Sequence, residues 1–414
     1  MFGTLFYMKI VQCRSCKSRN IKNAFSLGSQ SLTGVFPNKK NLNISKGELS
    51  LVFCKNCSLL QLENSFNPEE MYGENYGYMS SLNQSIFNHL KNKVNYLKKK
   101  IQLNYRDIVI DIGSNDGTFL SFFDKKFDLI GVDPTIKKFG KRYRKDITKI
   151  SKFFSKKVVE KYLTRKKAKL ITSIAMFYDL EDPLKFVRDI HESLDDNGIW
   201  HFEQSYMPYM IKNISYDTIC HEHLEYYSLK SIKHILDKVG FSIIDIELNS
   251  INGGSFALTV AKKHSKFKSN KKIVDWLLYK EDLFKFNDLE TFKKFYSDVL
   301  KQKKLLRDLL YNLKDMKKKV LGYGASTKGN VILQFCKINS KILPYIGEVN
   351  PFKYDKFTPG TNIKIISENK AKKMKPDYFL VLPWHFRDFI IQKEKSFLNN
   401  GGKLIFPLPD IEII

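Results

Sequence analysis

Long hydrophobic runs are missing from these 414 residues: no stretch of eighteen or more apolar residues occurs, which excludes a membrane-spanning helix. The first residues, Met1 to Lys9, lack a basic leader and a small-residue cleavage site, so no signal peptide is expected, and Met8 is an alternative start. Acidic residues are in short supply, 43 against 70 basic ones, for a formal charge of +27. The lysines are spread along the chain rather than gathered into one stripe, which argues against a nucleic-acid interface. The surplus suits an anionic, phosphate-bearing small molecule equally well. Cysteine is also scarce: six residues, four of them in two Cys-x-x-Cys pairs and two alone, a pattern that argues for metal rather than a disulfide framework. A reducing, cytoplasmic setting follows, in which paired cysteines hold metal.

Apolar residues make up 43% of the chain, enough for several cores, and the length argues for two or three domains. Residues 1–75 hold two Cys-x-x-Cys pairs around a turn-rich stretch, Leu27 to Ser50, that cannot build much core and needs a staple. Residues 76–264 begin with a helical pattern (Leu82, Ile86, Leu90, Val94, Leu97) and continue as apolar strands alternating with helices. Strands are expected at 108–111, 129–133, 170–174 and 198–203, giving a parallel sheet between helices. Residues 265–318 read as a charged helical connector, either one long helix or a hairpin. Residues 319–414 repeat the alternating pattern on a smaller scale, with strands expected near 319–323, 342–346, 378–382 and 402–406.

Five motifs carry chemistry. Cys13, Cys16, Cys54 and Cys57 offer four thiolates on two knuckle-like turns, the donor set of tetrahedral zinc. With every position filled by sulfur the metal is expected to be structural. The second motif, Asp111-Ile112-Gly113-Ser114-Asn115-Asp116-Gly117-Thr118, sits on a strand-to-helix turn, where glycine lets a ligand approach the backbone. Asp133, followed by Pro134, ends the next strand, where a carboxylate takes both ribose hydroxyls. An acid, a glycine turn and a second acid form the layout that binds S-adenosylmethionine. Ser173, Ala175 and Met176, at the end of the third strand, are expected to line it.

The third motif is Cys220-His221-Glu222-His223, two imidazoles flanking a carboxylate, suited to general-base work. Its spacing is not that of a helical zinc pair. The fourth, Asn252-Gly253-Gly254-Ser255, lies between strand-like runs. The fifth, Gly322-Tyr323-Gly324-Ala325-Ser326-Thr327-Lys328-Gly329, resembles a phosphate-cradling turn with a lysine added, though it departs from the P-loop in spacing, and a tight turn of the second α/β unit is the alternative reading.

In this order the motifs resemble the zinc-containing, three-domain sugar C-methyltransferases of deoxysugar biosynthesis, over nearly the whole chain. The resemblance implies an α/β protein: an N-terminal zinc-binding domain, a class I Rossmann-like S-adenosylmethionine domain and a second, C-terminal Rossmann-like domain. It implies a nucleotide-linked 4-keto-sugar as substrate, methylated on carbon beside the ketone. By match to the family's motif His223 is the implied base, Glu222 orients it, and His221 contacts substrate or enolate. Tyr76 and Tyr78 match a segment facing the sugar, and Cys220, Gly253, Gly254, Ser255, Tyr323, Gly324, Ser326 and Lys328 are further expected substrate contacts. Two positions depart from better-known members: Cys220 stands where they carry tyrosine, and Phe177-Tyr178-Asp179 where they place a histidine. The assembly is expected to be a monomer or homodimer, without membrane insertion. Three other readings compete. An RNA methyltransferase lacks its expected Pro-Pro turn or Pro-Cys nucleophile here. A non-catalytic binding module sits badly with an intact Asp111, Asp133 and His223. An oxidoreductase lacks a clear acid at the end of the second strand of 319–414.

Overall fold

The computed structural model describes residues 8–67, 70–71, 77–163 and 166–414. Tyr76, an expected substrate contact, lies outside the described residues. The N-terminal sheet starts with β1 (Ile21–Ser31), β2 (Lys46–Cys54) and β3 (Leu60–Leu62), all antiparallel. Both Cys-x-x-Cys segments close the same turn: Lys17 N donates to Cys13 O (3.0 Å) and Ser58 N to Cys54 O (2.9 Å). Lys17 and Ser58 take φ of 60° and 59° to make it.

Helix α1 (Gln84–Lys100) is capped by the Asn83 side chain, which accepts from the amides of Ser85 and Ile86. Its buried face carries Ile86, Leu90, Val94 and Leu97, as the spacing predicts. The central sheet follows with β4 (Ile108–Ile112), β5 (Asp128–Val132), β6 (Thr148–Ile150), β7 (Ala168–Ile174) and β8 (Leu194–Ser205). Strand β9 (Glu225–Tyr226) leaves this domain and pairs with β3, extending the N-terminal sheet. Helix α2 (Leu229–Val239), β10 (Phe241–Asn249) and β11 (Ser255–Lys262) complete the unit. The strand order is β10-β11-β8-β7-β4-β5-β6, parallel throughout except for β11. This is the class I methyltransferase sheet. Strand β4 is wholly buried, and its single charged residue, Asp111, stands near the carboxyl edge, where such sheets bind ligands.

The connector is two helices, α3 (Lys271–Leu283) and α4 (Leu289–Asp315). Helix α3 packs on α2 and β10, while α4 lies against β1 and reaches the C-terminal sheet. Phe292 and Phe295 on α4 meet Phe53 and Phe25 at 5.2 and 5.4 Å between ring centres. The last domain comprises β12 (Val320–Tyr323), α5 (Thr327–Phe335), β13 (Tyr345–Glu348), β14 (Lys364–Ser367), β15 (Tyr378–Val381), β16 (Lys403–Phe406) and β17 (Glu412–Ile413). Its order is β14-β13-β12-β15-β16-β17, parallel up to the antiparallel β17. Strand β13 begins at Tyr345 rather than near residue 342, because Pro344 has no amide to give a ladder. Strand β13 also ends in an acid, Glu348, contrary to the expectation that none would be found there.

The apolar cores do not follow chain order. Leu27, Leu51 and Phe53 of the N-terminal sheet, Tyr216 and Ile219 of the central region and Leu321, Ile346 and Phe379 of the last domain belong to one continuous cluster. The central sheet has its own two clusters, one on each face. Among the described residues no helix is long and apolar enough to cross a membrane.

Candidate active site

Strand β4 delivers Asp111, and Gly113 turns the chain with φ of 73°. A Cβ at Gly113 would stand 2.9 Å from Met176 Cγ, so only glycine fits between the turn and the end of β7. Asp133 Oδ2 accepts from Asn115 N at 2.8 Å, and its Oδ1 accepts from Thr135 N and Oγ1 at 2.6 and 2.5 Å. The acid of the second strand thereby shapes the loop of the first. Burial raises the pKa of Asp133 and pushes Asp111 up to about 7, while the Thr172 hydroxyl, 2.7 Å from Asp111 Oδ1, works against the shift at Asp111. Tyr143 supports the turn by bonding Ser114 Oγ (2.8 Å) and Asn115 O (3.0 Å).

A cavity of about 610 Å³ opens from this turn. Asp111, Gly113, Ser114, Asn115, Asp133 and Pro134 line one end. Ala175 and Met176 line the middle, Ala175 in left-handed backbone (φ 54°) with its amide on Glu203 O at 2.7 Å. Tyr78, Glu222 and His223 follow, and Tyr323, Gly324, Ser326 and Lys328 of the C-terminal domain close the far wall. Three domains meet there, because Gly34 and Phe36 of the N-terminal domain roof it.

Other expected contacts are not on the wall. Asp116 is turned to local work: it accepts from Ser81 N and from the Thr118 hydroxyl (3.1 and 2.7 Å). Gly117 faces Tyr143, and Ser173 Oγ accepts from Trp200 Nε1 at 3.0 Å. Cys220 is fully buried in the apolar core beneath the site. Gly253, Gly254 and Ser255 lie behind the cavity: Gly253 against Trp384, Gly254 against Tyr209, and Ser255 Oγ on Ile251 O at 2.8 Å. Their neighbour Asn252, in left-handed backbone at φ 55°, is the residue of that motif that reaches the wall.

The His-Glu-His motif separates in space. His221 is fully buried and faces away from the cavity, packed edge-on against Phe66 at 4.8 Å. Its Nε2 lies 3.3 Å from Gly47 O and its Nδ1 3.4 Å from Thr33 Oγ1. Burial pushes it down to about 4, so it is a neutral buttress to the N-terminal sheet and not a substrate contact. Glu222 does not orient His223 either. Its Oε2 takes the Thr33 hydroxyl at 3.3 Å, and a Cβ on Gly34 would strike its Oε1. Burial raises its pKa. His223 is aligned instead by its own loop: Nδ1 lies 2.7 Å from Thr218 O, and a carbonyl can only accept, so the proton is on Nδ1. Nε2 is then the basic atom. The Tyr178 ring packs at 4.2 Å. Burial first, then Lys328, push His223 down to about 3, which keeps it unprotonated at neutral pH.

Long-range contacts that no local spacing announces complete the site. Thr33 and Gly34 meet Glu222, and Asn330 Nδ2 donates to Thr33 O at 2.7 Å. His89 Nε2 stands 2.6 Å from Glu203 Oε1, and Lys93 and Asn249 bond its other oxygen at 3.0 and 3.1 Å. Burial acts to raise the Glu203 pKa, but His89 and Lys93 prevail and hold it at about 2.

Away from the cavity, Cys13, Cys16, Cys54 and Cys57 place all four sulfurs within 4.8 Å of one another. The pairs Cys13–Cys57 and Cys16–Cys54 lie 3.6 and 3.5 Å apart. Tetrahedral zinc at ~2.3 Å from each thiolate sets sulfurs about 3.8 Å apart, so the cluster fits a structural zinc.

Comparison with known proteins bears on all three domains. Residues 13–72 match the model of a putative zinc-binding domain, 83–246 a methyltransferase domain and 250–409 a C-methyltransferase C-terminal domain. The C-methyltransferase NovU of Streptomyces niveus is 28% identical over 411 residues, 98% of this chain and 97% of its own. Among solved structures, the plantazolicin methyltransferase BpumL with bound S-adenosylhomocysteine is 12% identical, at a TM-score of 0.35 over 43% of this chain and 86% of its own. A putative methyltransferase from Bacillus halodurans is 10% identical, at 0.33 over 42% and 99%. The chain is thus an S-adenosylmethionine-dependent methyltransferase whose residues match, in order, a putative zinc-binding domain, a methyltransferase domain and a C-methyltransferase C-terminal domain.

Proposed function

We propose that the protein methylates carbon in a nucleotide-linked keto-sugar, beside the ketone. The observation that carries this reading is the shared cavity: His223, with a bare Nε2, sits between the cofactor turn and the lysine-bearing turn of the C-terminal domain. A carbon nucleophile requires removal of a proton α to a carbonyl. His223 Nε2 takes that proton, and the electron pair moves onto the carbonyl oxygen. S-adenosylmethionine supplies an electrophilic methyl group on sulfur. The enolate carbon takes the methyl, the sulfur–carbon bond breaks with its electrons left on sulfur, and the ketone re-forms. Positioning supplies much of the rate.

The cofactor end is acidic, with Asp111 and Asp133, which suits ribose hydroxyls and a cationic sulfonium. The far wall also carries Lys353 and Lys393, which suits a diphosphate. Tyr323, Gly324 and Ser326 flank that end, and Tyr78 and Asn252 face the sugar between them. The unpaired cysteines fit a cytoplasmic protein.

The test is mass spectrometry of the protein with S-adenosylmethionine and a panel of nucleotide-linked 4-keto-sugars in deuterated buffer. One added methyl on the carbon next to the ketone is expected, and deuterium at that carbon when S-adenosylhomocysteine replaces S-adenosylmethionine, so that the enolate can only be reprotonated. A methyl found on oxygen or nitrogen, or methylation of bulk RNA instead of any sugar, refutes the proposal. His223→Asn should abolish turnover and leave S-adenosylmethionine affinity nearly unchanged.

A further inference from the structure

Burial of His221 leaves a vacancy in the chemistry, since forming the enolate needs a donor at its oxygen as well as a base. We infer that Lys328 fills it, its ammonium being the group that binds the ketone oxygen as negative charge develops there. The inference rests on the C-methylation reading above and adds a second catalytic residue to it.

Lys328 stands in the first turn of α5, whose nine residues are capped by Ser326 Oγ accepting from Gly329 N at 2.9 Å. A phosphate-binding lysine would point along its own turn. Lys328 instead crosses the domain boundary and donates from Nζ to Asn252 O at 2.6 Å, so its head lies at the central domain's edge of the cavity. His223 lines the same cavity, and the Lys328 charge acts on it. The neighbouring residue fixes the same corner: Thr327 Oγ1 and Glu222 Oε1 both lie close to Gly34, and Glu222 precedes His223 in the chain. Asn252 O is the acceptor that the structure gives Lys328, which leaves N–H groups for a ligand. The diphosphate end keeps its own cation, Lys353, whose Nζ bonds Ala325 O at 2.7 Å.

The charges around His223 make Lys328 distinctive. Lys328 is the charge that acts on His223, while Tyr178 packs on its ring; Glu222 and Asp179 act on Cys220 of the same segment, Asp217 acts on Lys328, and Lys328 also acts on His385. Burial and the Lys328 charge both disfavour a proton on His385, which leaves Lys328 as the cationic side chain acting on His223. Burial lowers the Lys328 pKa, and Asp217 opposes that; Asp217 in turn accepts from Trp384 Nε1 at 2.8 Å. A fixed ammonium beside the base and facing the ketone serves two ends: it holds His223 in its basic form, and it stabilises an oxyanion without reorganisation, a contribution worth ~100-fold or more in rate.

The experiment compares wild type, Lys328→Met and Lys328→Arg with the keto-sugar found above. It follows solvent-deuterium exchange at the α-carbon, methyl transfer, the pH profile of kcat/KM, and S-adenosylmethionine affinity as a control for folding. Lys328→Met should lose ~100-fold in both exchange and kcat. Its acid limb should move up by about one pH unit or more, because removing a nearby positive charge raises the pKa of His223. Lys328→Arg should keep the wild-type acid limb. A raised KM in Lys328→Met with unchanged kcat, exchange and acid limb would make Lys328 a phosphate ligand and overturn the inference alone. Wild-type methylation on oxygen or nitrogen would overturn the C-methylation reading, and this inference with it.

Discussion

In the central domain the turn after the first strand is shaped by Gly113 and Gly117, and its Asn115 amide is held by Asp133 at the end of the second strand. In the C-terminal domain the matching turn has Gly324 at φ 78°, and its Ala325 amide is held at 2.7 Å by Glu348, again at the end of the second strand. Both turns even hang from the same backbone bond, Gly113 N to Val132 O (2.9 Å) and Gly324 N to Gly347 O (2.7 Å). The backbone device is one; the surroundings are opposite in sign. Acids, Asp111 and Asp133, surround the first turn at the cavity, and Lys328 and Lys353 surround the second. Glu348 is spent in the same way as Asp133: its other oxygen takes the amides of Val349 and Asn350 at 2.8 Å each, as Asp133 Oδ1 takes the amide and hydroxyl of Thr135, so each acid braces its own loop. A single fold element is therefore tuned by its side chains, in one half toward a cationic cofactor and in the other, on the proposed function, toward an anionic substrate.

The comparison can be broken at the part that joins the halves. Cys54→Ser should lower zinc content and thermal stability together, by several kcal/mol on the order expected for a structural zinc, because metal binding is folding energy there. Both ligand sites should weaken with it, since Gly34 and Phe36 roof the cavity between them. Zinc loss with an unchanged melting temperature would show that the staple is dispensable.

Next in size is Asp133→Ala. It removes the carboxylate that shapes the first turn, and S-adenosylmethionine affinity measured by calorimetry should fall about 100-fold, the worth of one or two charged hydrogen bonds. The KM for the nucleotide-sugar should stay near its wild-type value. Glu348→Gln should do the converse more weakly, raising that KM by roughly ten-fold through a loosened loop while leaving cofactor affinity alone. If either variant disturbs both ligands equally, the two turns are not independent sites. The smallest effect is expected from Gly324→Ala. Left-handed backbone and a Cβ only 2.7 Å from Pro383 should cost about 1–2 kcal/mol in denaturant melts, with S-adenosylmethionine affinity again unchanged.

Local pattern made much of the molecule legible. Four cysteines at Cys-x-x-Cys spacing announce their metal, because the knuckle turn that brings a pair together lies within each segment. Asp111, Gly113 and Asp133 announce a cofactor turn, because strand, glycine and acid are neighbours in sequence. His223 stands out for the same reason, and the cavity includes it. The adjacent residues were misleading for a physical reason: consecutive side chains in an irregular loop point to different surroundings. His221 therefore enters the N-terminal core, Glu222 faces Thr33, and only His223 meets the cavity with a bare nitrogen.

By itself, then, the sequence determined the strand-and-helix alternation, the zinc ligands and the two glycine turns, each a matter of residues a few positions apart. Tertiary structure alone decided which groups share the cavity. Thr33 reaches Glu222 across 189 positions, Asn330 reaches Thr33 across 297, and Lys328 reaches Asn252 across 76. The same holds for the core that unites the first and last domains through α4. Those contacts exist because apolar faces of distant segments must be covered, and which face covers which depends on the whole packed shape rather than on any local spacing.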